Sequence, residues 1–139
     1  MSFLPEGTEI PQASGNYMKL SEKENKFRVL GSAITGFELW VNGKPVRRKD
    51  GSFTSEEFAG ADINKFTGQK KDPQYFWAFP VWNYKTEQVE ILELTQLGVM
   101  RGIEKYLKDE DYGADPKQYD LVIEKDKQGD KTVYTVRAK

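Results

Sequence analysis

Six of the eighteen aromatic residues of this 139-residue chain lie within ten positions, in the segment Tyr75–Tyr84. Basic residues precede that segment in two short clusters, Arg47-Arg48-Lys49 and Lys70-Lys71. Aromatic rings stack against flat bases and basic side chains balance phosphates, so the combination suits a single-stranded nucleic acid. The same rings could instead form a hydrophobic core, which is the more common use of Phe and Trp in a strand.

Alternation along a strand separates the rings that could stack on a ligand from those that fill a core. If Val81 faces the core, Trp77 and Phe79 share its face and the other rings of the segment point outward. On the following strand, Val89 and Ile91 are expected to face the same core, although a shift of one residue would reverse that assignment. The candidate stacking residues are therefore Trp40, Phe76, Trp82 and Tyr84, with Trp77 kept as a fifth.

Five basic residues near the two ends of a long irregular segment, residues 44–73, are candidates for phosphate contacts. They are Arg47, Arg48, Lys49, Lys70 and Lys71. Because single strands give a slope of about −0.7 per contact, five contacts predict that log K falls with log salt at roughly −3.5. The alternative is that these charges form ordinary solvated surface.

The composition excludes several classes of enzyme and metalloprotein. The chain has no cysteine and no histidine, which removes disulfide scaffolds, thiolate nucleophiles, Cys/His zinc sites and imidazole acid–base catalysis. It has no phosphate-binding loop, dinucleotide glycine fingerprint or nucleophile elbow. The acidic run Asp109-Glu110-Asp111 could hold Mg²⁺, but it has no partner motif. We therefore expect no catalysis, no cofactor, no metal and no small-molecule substrate.

Charge is distributed unevenly along the chain, although the net charge is only −1. Residues 26–49 contain six basic residues and one acidic residue, whereas residues 86–124 contain ten acidic and four basic residues. This asymmetry predicts one positive and one negative region of the surface. No apolar run approaches the ~20 residues of a membrane helix, and the lack of cysteine is consistent with an intracellular setting.

Hydrophobic periodicity and turn residues predict the order of the elements. Residues 1–25 are predicted to form an N-terminal arm and residues 26–139 the domain. Lys26–Val41 alternates as one long strand or two collinear ones, and Asn42-Gly43 is a tight-turn signal. A capping box at Thr54–Glu57 predicts a short helix. The remaining predicted elements are strands Tyr75–Tyr84 and Gln88–Leu94, a helix from an N-cap at Thr95 to Lys108, and strands Tyr119–Lys125 and Thr132–Arg137.

This order matches a mainly β fold, the OB-fold, which is a five-stranded Greek-key barrel with one helix between strands 3 and 4. The long loop after strand 1 fits the same fold. Oligonucleotides bind an OB-fold across strands 2 and 3, between two loops. Here those elements are residues 75–94, 44–73 and 126–131, which include the aromatic segment and the basic clusters. A small antiparallel sheet packed on one helix is the alternative fold.

Several short hydrophobic and aromatic phrases are spread over the chain from Gly15 onward. They are Gly15–Leu20 with Asn25–Leu30, Phe76–Tyr84 with Ile91–Gln96, and Tyr119–Ile123 with Tyr134–Val136. In these phrases the chain resembles a family of small bacteriophage single-stranded-DNA-binding proteins with an OB core. The resemblance implies sequence-independent binding of single strands in phage DNA replication or recombination, in the cytoplasm of the host cell. It also implies that replication or recombination proteins are partners, and that the aromatic and basic candidates are the DNA contacts.

The chain departs from many phage proteins of this role at its last residues. Those proteins end in an acidic tail that recruits partners, whereas this sequence ends Val136-Arg137-Ala138-Lys139, so recruitment through a tail is not expected. The acidic segment Asp109–Asp115 is an alternative surface for partners. An alternative function is a non-catalytic protein-interaction module, in which exposed rings fill a partner's pocket and the charge asymmetry steers docking.

Overall fold

The computed structural model describes residues 17–139. Within that range the chain is mainly β, as predicted, with seven strands, two α-helices and one turn of 3-10 helix. In chain order the elements are β1 (Lys23–Val29), β2 (Ile34–Val41), β3 (Lys44–Arg48), α1 (Ser55–Ala59), β4 (Gln74–Asn83), β5 (Gln88–Leu94), α2 (Leu97–Leu107), the 3-10 turn (Pro116–Gln118), β6 (Asp120–Gln128) and β7 (Lys131–Ala138).

All seven strands pair antiparallel in one sheet, in the order β3-β2-β4-β1-β6-β7, with β5 on the other edge of β4. β1 and β2 lie end to end along one edge of β4, where Val29 is opposite Val81 and Ile34 is opposite Ala78. The long alternating segment is therefore two collinear strands, interrupted at residues 30–33.

The sequence pattern predicts five strands, and the described residues contain seven. One additional strand comes from the break in the first strand. The other, β3, begins the segment that is predicted to be irregular. Asn42 and Gly43 both adopt positive φ, 51° and 77°, which is the conformation of a two-residue hairpin turn and directs β3 back along β2. Because Val46 is the single aliphatic residue of β3, alternation could not reveal this strand.

The hydrophobic core lies between one face of the sheet and α2. Four strands and the helix supply most of its buried members, which include Phe27, Phe79, Val81, Leu92, Leu94, Val99, Met100, Ile103, Leu121 and Ile123. On β4, Phe79 and Val81 face inward as predicted. We refer to the opposite face of β1, β2, β4 and β5, which points away from this core, as the outer face.

The prediction for the faces of β5 is wrong. Val89 and Ile91 lie on the outer face, where Val89 is opposite Trp82 and is 57% exposed. Leu92 and Leu94 occupy the core instead. Both faces of β5 carry aliphatic residues, so its orientation is decided by its pairing with β4, because side chains of paired residues point to the same face.

The described part of the chain is attached to the sheet from its first residues. Tyr17 forms a bridge to Ile91, and the Met18 N–H donates to the Ile91 carbonyl at 2.9 Å. The Met18 side chain is buried in the core. β1 begins at Lys23, three residues before the predicted first strand. Of the predicted N-terminal arm, residues 1–16 lie outside the described residues.

The segment between β3 and β4 is anchored along β2. α1 has the predicted capping box: the Glu57 N–H donates to Thr54 Oγ1 at 3.1 Å, and the Thr54 N–H donates to Glu57 Oε1 at 2.9 Å. After α1, the Asp62 N–H donates to the Trp40 carbonyl at 2.8 Å, and the Lys71 N–H donates to the Asp62 carbonyl at 2.7 Å. These bonds hold the second half of the segment beside Trp40.

α2 begins after an N-cap at Gln96, one residue later than predicted. The four-residue spacing of Gly98 and Gly102 predicts a close approach of another element to the helix. It occurs at Gly102, where a β-carbon would lie 2.8 Å from Cγ2 of Val136 in β7. At Gly98 the space is open: apart from its chain neighbours and the backbone of its own helix, no described residue has an atom within 4 Å of such a β-carbon.

This difference predicts opposite effects for the same substitution. Gly98→Ala should stabilise the protein by roughly 0.5–1 kcal/mol, because alanine favours the helix. Gly102→Ala gains the same propensity, but its methyl group overlaps Val136, so we expect a net destabilisation of about 1 kcal/mol. Urea unfolding of the two variants checks this. A more stable Gly102→Ala protein would show that α2 and β7 are not in close contact in solution.

Candidate nucleic-acid interface

The outer face carries aromatic and apolar side chains that stay exposed within the described residues. Trp82 of β4 lies there, half-buried, between Arg28 of β1 and Val89 of β5. Ile34 of β2 lies on the same face and is 70% exposed. These exposed groups make the outer face a candidate binding surface if they act together, because only contiguous apolar patches, and not single exposed residues, mark binding sites.

Three side chains converge on Asp120 at one end of the outer face. Arg28 Nε and the Tyr84 hydroxyl donate to Oδ1 at 2.6 and 2.7 Å, and Lys26 Nζ lies 3.6 Å from Oδ2. Lys26 Nζ also lies 4.6 Å from the centre of the Tyr84 ring. The hydrogen bond to Asp120 and the contact with Lys26 hold the Tyr84 ring in one orientation. Part of the ring stays in solvent, because Tyr84 is 39% exposed.

These contacts shift the pKa of the Asp120 carboxyl. Burial alone would raise the pKa of its carboxyl, but hydrogen bonds from Arg28 and Tyr84, with the charges of Arg28 and Lys26, lower that pKa below its ordinary value. The carboxylate in turn raises the pKa of Arg28 and of Tyr84. Lys26 and Arg28 are not among the predicted contacts, although their alternation with the inward Phe27 could have placed both on this face.

Phe76 lies on the outer face as predicted, but it is only 4% exposed. The Arg47 guanidinium covers it, with Cζ 4.5 Å from the ring centre. Gly36 lies opposite Phe76 on β2, and a β-carbon there would lie 3.2 Å from Cε1 of the Phe76 ring. The expectation that Phe76 stacks directly on a ligand is therefore wrong, because Arg47 occupies that surface.

The Arg47 guanidinium is held in place by two carboxylates. Its Nη1 donates to Glu93 Oε1 at 3.3 Å, its Nη2 also bonds Glu93, and Nη2 lies 3.4 Å from Glu38 Oε1. Glu38 itself is buried, at 4% exposure. With Phe76 beneath and carboxylates at its edge, the guanidinium presents a flat surface on which a base can stack.

Arg48 points to the opposite side of β3 from Arg47. Its Nη2 donates to Glu57 Oε2 at 2.8 Å, and its Cζ lies 5.3 Å from the Phe53 ring centre. The two arginines are therefore not a joint phosphate clamp, because adjacent residues of a strand point to opposite faces. Lys49 follows β3 and is exposed.

The pairing of Arg48 with Glu57 predicts a pH dependence of stability. The side-chain hydrogen bond from Arg48 lowers the pKa of Glu57 from 4.5 to about 2. This stabilisation is present above pH 4.5 and is lost as the pH falls through about 2. We expect Glu57→Gln to melt below the wild type at pH 7, with a difference that shrinks between pH 4.5 and 2. Thermal unfolding over that range checks it, and a constant difference would contradict the pairing.

The structure brings three of the candidates, Trp40, Lys70 and Lys71, to one place. Lys71 Nζ lies 5.9 Å from the Trp40 ring centre, and Lys70 Nζ donates to the carbonyl of Ala59. Trp40 is half-buried, whereas both lysines are exposed. Between Trp40 and the lysines lies a cleft of about 370 Å³, which we call the Trp40 cleft.

Phe66 is an exposed aromatic residue that is not among the candidates predicted from the sequence. It is 98% exposed, at the tip of a turn whose ends pair through Ile63 and Lys70. Asn64 Oδ1 accepts a hydrogen bond from the Phe66 N–H at 2.8 Å, which stabilises the turn. Phe66 could have been selected from the sequence Asn64-Lys65-Phe66-Thr67-Gly68, because this turn pattern places an aromatic residue beside a lysine.

Trp77 lies on the inner face of β4, away from Trp82. Its Nε1 donates to the Tyr75 hydroxyl at 3.0 Å, and the ring packs against the core. Both residues line a second cavity, of about 510 Å³, closed on one side by Ile103 and Leu107 of α2. The fifth candidate is thus separated by the sheet from the other rings.

Three of the stacking candidates and Arg47 lie in a row along the outer face. We call Trp40, Arg47, Trp82 and Tyr84 the outer-face row. Glu38 lies opposite Gln74, so Trp40 lies level with position 72 of the neighbouring chain segment. At about 3.3 Å per residue, Trp40 and Trp82 are then at most about 33 Å apart. A row of this length can accommodate several nucleotides of an extended strand.

Residues 17–139 contain no group of three or more acidic side chains placed to hold a metal ion. Over the same residues, no helix has the length and apolar character needed to cross a bilayer. Comparison with known proteins finds no matching family model, no matching curated protein and no matching solved structure. The candidate interface therefore rests on the outer-face row and the Trp40 cleft themselves.

Proposed function

We propose that this protein binds single-stranded DNA without catalysis, in phage DNA replication or recombination in the host cytoplasm. The observation that carries the proposal is the outer-face row, in which a half-buried Trp82 and an oriented Tyr84 lie beside cations on an exposed face. Every base has a π-face, so such rings accept any sequence, while the cations balance the backbone. The resemblance of the sequence phrases to phage proteins supports the cellular role.

We propose further that the sheet is an OB-type barrel. The order of connections supports this: a bent first strand in two parts, β1 and β2, contributes pairings to both β4 and β6. A β4–β5 hairpin, a helix and a β6–β7 hairpin follow. The strands that bind the ligand in an OB-fold then correspond to β4 and β5, and Trp82 belongs to this pair.

Phosphate contacts are assigned to the lysines near the ends of the β3–β4 segment. Among residues 17–139, Lys49, Lys70 and Lys71 form no ion pair, whereas Arg28 and Arg47 are paired with carboxylates. Paired arginines contribute less to counterion release, because their carboxylates already neutralise them. Three contacts predict a log–log salt slope of about −2, smaller in magnitude than the −3.5 for five contacts.

Titration with oligo-dT, followed by tryptophan fluorescence, tests the proposed function. Trp40 and Trp82 are two of the three tryptophans of the chain, so stacking on the row should quench the emission. Affinity should fall with added salt at the slope given above. A lack of binding at low salt would contradict the proposal and favour the protein-interaction module, for which the exposed Ile34 and Val89 would provide the contacts.

Arg47 should contribute through its flat guanidinium more than through its charge. Arg47→Lys keeps the charge but removes the planar surface, so we expect oligo-dT affinity to fall by about 10-fold, or ~1.4 kcal/mol. Arg48→Lys makes the same change on the opposite side of β3 and should alter affinity by less than about 2-fold. Fluorescence anisotropy gives both dissociation constants. Wild-type affinity in Arg47→Lys would show that Arg47 is not a stacking surface.

A further inference from the structure

The Trp40 cleft has the size and lining of a site for one nucleotide. Its volume of about 370 Å³ lies at the lower end of the ~300–1,000 Å³ that small-molecule sites occupy. One wall is the Trp40 ring, and the rim carries two lysines. An aromatic wall beside lysines offers stacking to a base and charge to its phosphate.

The cleft also contains polar side chains that are free to bind a ligand. Gln69, Asp72 and Gln74 line it, and their side chains make no hydrogen bond with any residue in 17–139. By contrast, Asn64 Oδ1 accepts the N–H groups of its own turn. The groups available to a base therefore include the amides of Gln69 and Gln74 and the Asp72 carboxylate, which is the one acidic side chain in the lining.

We propose that the Trp40 cleft binds one base of the strand and prefers cytosine to thymine at that position. This inference rests on the proposed function and adds base selectivity at one point of an otherwise sequence-tolerant site. An ionised carboxylate only accepts hydrogen bonds, so Asp72 favours an edge that carries an amino group. Cytosine presents its N4 amine where thymine presents the O4 oxygen, and that oxygen would repel the carboxylate.

The two pyrimidines provide the test because they have the same ring size. We expect the full chain to bind fluorescein-labelled oligo-dC about 5-fold more tightly than oligo-dT of equal length at one salt concentration. Asp72→Asn, whose amide both donates and accepts, should bring the two dissociation constants within about 2-fold. Asp130→Asn makes the same change in the β6–β7 turn and should retain the preference. Since removal of a negative charge can raise both affinities, the ratio of the two constants is the readout.

The outcomes of these titrations distinguish the cytosine preference, its assignment to the Trp40 cleft and the proposed function. Measurable binding of both oligonucleotides with equal affinity would overturn the cytosine preference and leave the proposed function intact. A preference that persists in Asp72→Asn, or in a folded Trp40→Ala variant, would also overturn the assignment to this cleft. Failure of the wild type to bind either oligonucleotide at low salt would overturn the proposed function and, with it, this inference.

Discussion

Trp82→Ala is expected to weaken oligo-dT binding by about 10- to 100-fold and to lower stability by no more than about 1 kcal/mol. A base stacked on an aromatic ring contributes roughly 1–3 kcal/mol, and each 1.4 kcal/mol is about 10-fold in affinity. The stability loss is small because Trp82 lies on the outer face between Arg28 and Val89, away from the core. Anisotropy titration and urea unfolding of the same preparation measure both effects.

Trp77→Ala is the matched control on the other face of β4. The Trp77 ring packs against the core and donates to Tyr75, so its loss should destabilise the protein by roughly 2–4 kcal/mol. Oligo-dT affinity should stay near the wild-type value under conditions where the variant is folded. If Trp82→Ala unfolds the protein while Trp77→Ala abolishes binding, the two faces of β4 have exchanged roles.

The inward and outward positions of β4 could be predicted because its alternation is local. Phe79 and Val81 occupy every second position, and this period alone places Trp82 on the other side. Turn and capping chemistry is equally local, which explains why the Asn42-Gly43 hairpin and the Thr54 cap are both found where they are predicted. In each case the residues that decide the conformation are neighbours in the sequence.

Phe76 shows what a local pattern misses. Its outward position is predicted correctly, yet its exposure depends on Arg47, which reaches it from β3. Arg47 in turn is held by Glu38 and by Glu93 of β5. Contacts between residues this far apart in sequence follow from strand order and register, which periodicity does not specify.

The residues that line the Trp40 cleft could not be predicted from the sequence for a related reason. The segment after β3 has no sustained period, so nothing in it indicates that Asp62 bonds the Trp40 backbone and returns the chain beside the ring. That return brings Asp72 and Gln74 to the same cleft as Trp40. The sequence could select Trp40 and Lys71 by type, but it could not show which polar side chains accompany them.

Asn83→Ala is expected to destabilise the protein by about 3 kcal/mol, or roughly 10 °C in melting temperature. Asn83 lies on the inner face of β4, is 5% exposed, and donates from Nδ2 to Glu90 Oε1 at 2.7 Å. Glu90 is 6% exposed, so the variant leaves a buried carboxylate without this donor. Urea unfolding gives the free energy directly. A loss below about 1 kcal/mol would indicate that solvent reaches Glu90.

The Asn83–Glu90 pair also favours the register on which the interface depends. A slip of one residue would turn Trp82 and Tyr84 toward the core and separate the buried polar pair. In the double variant Asn83→Ala/Glu90→Leu no buried carboxylate lacks its donor, so we expect it to recover most of the lost stability. It should bind oligo-dT as the wild type does while Trp82 stays on the outer face. If the double variant is no more stable than Asn83→Ala, the two side chains are not coupled and other contacts hold the register of β4.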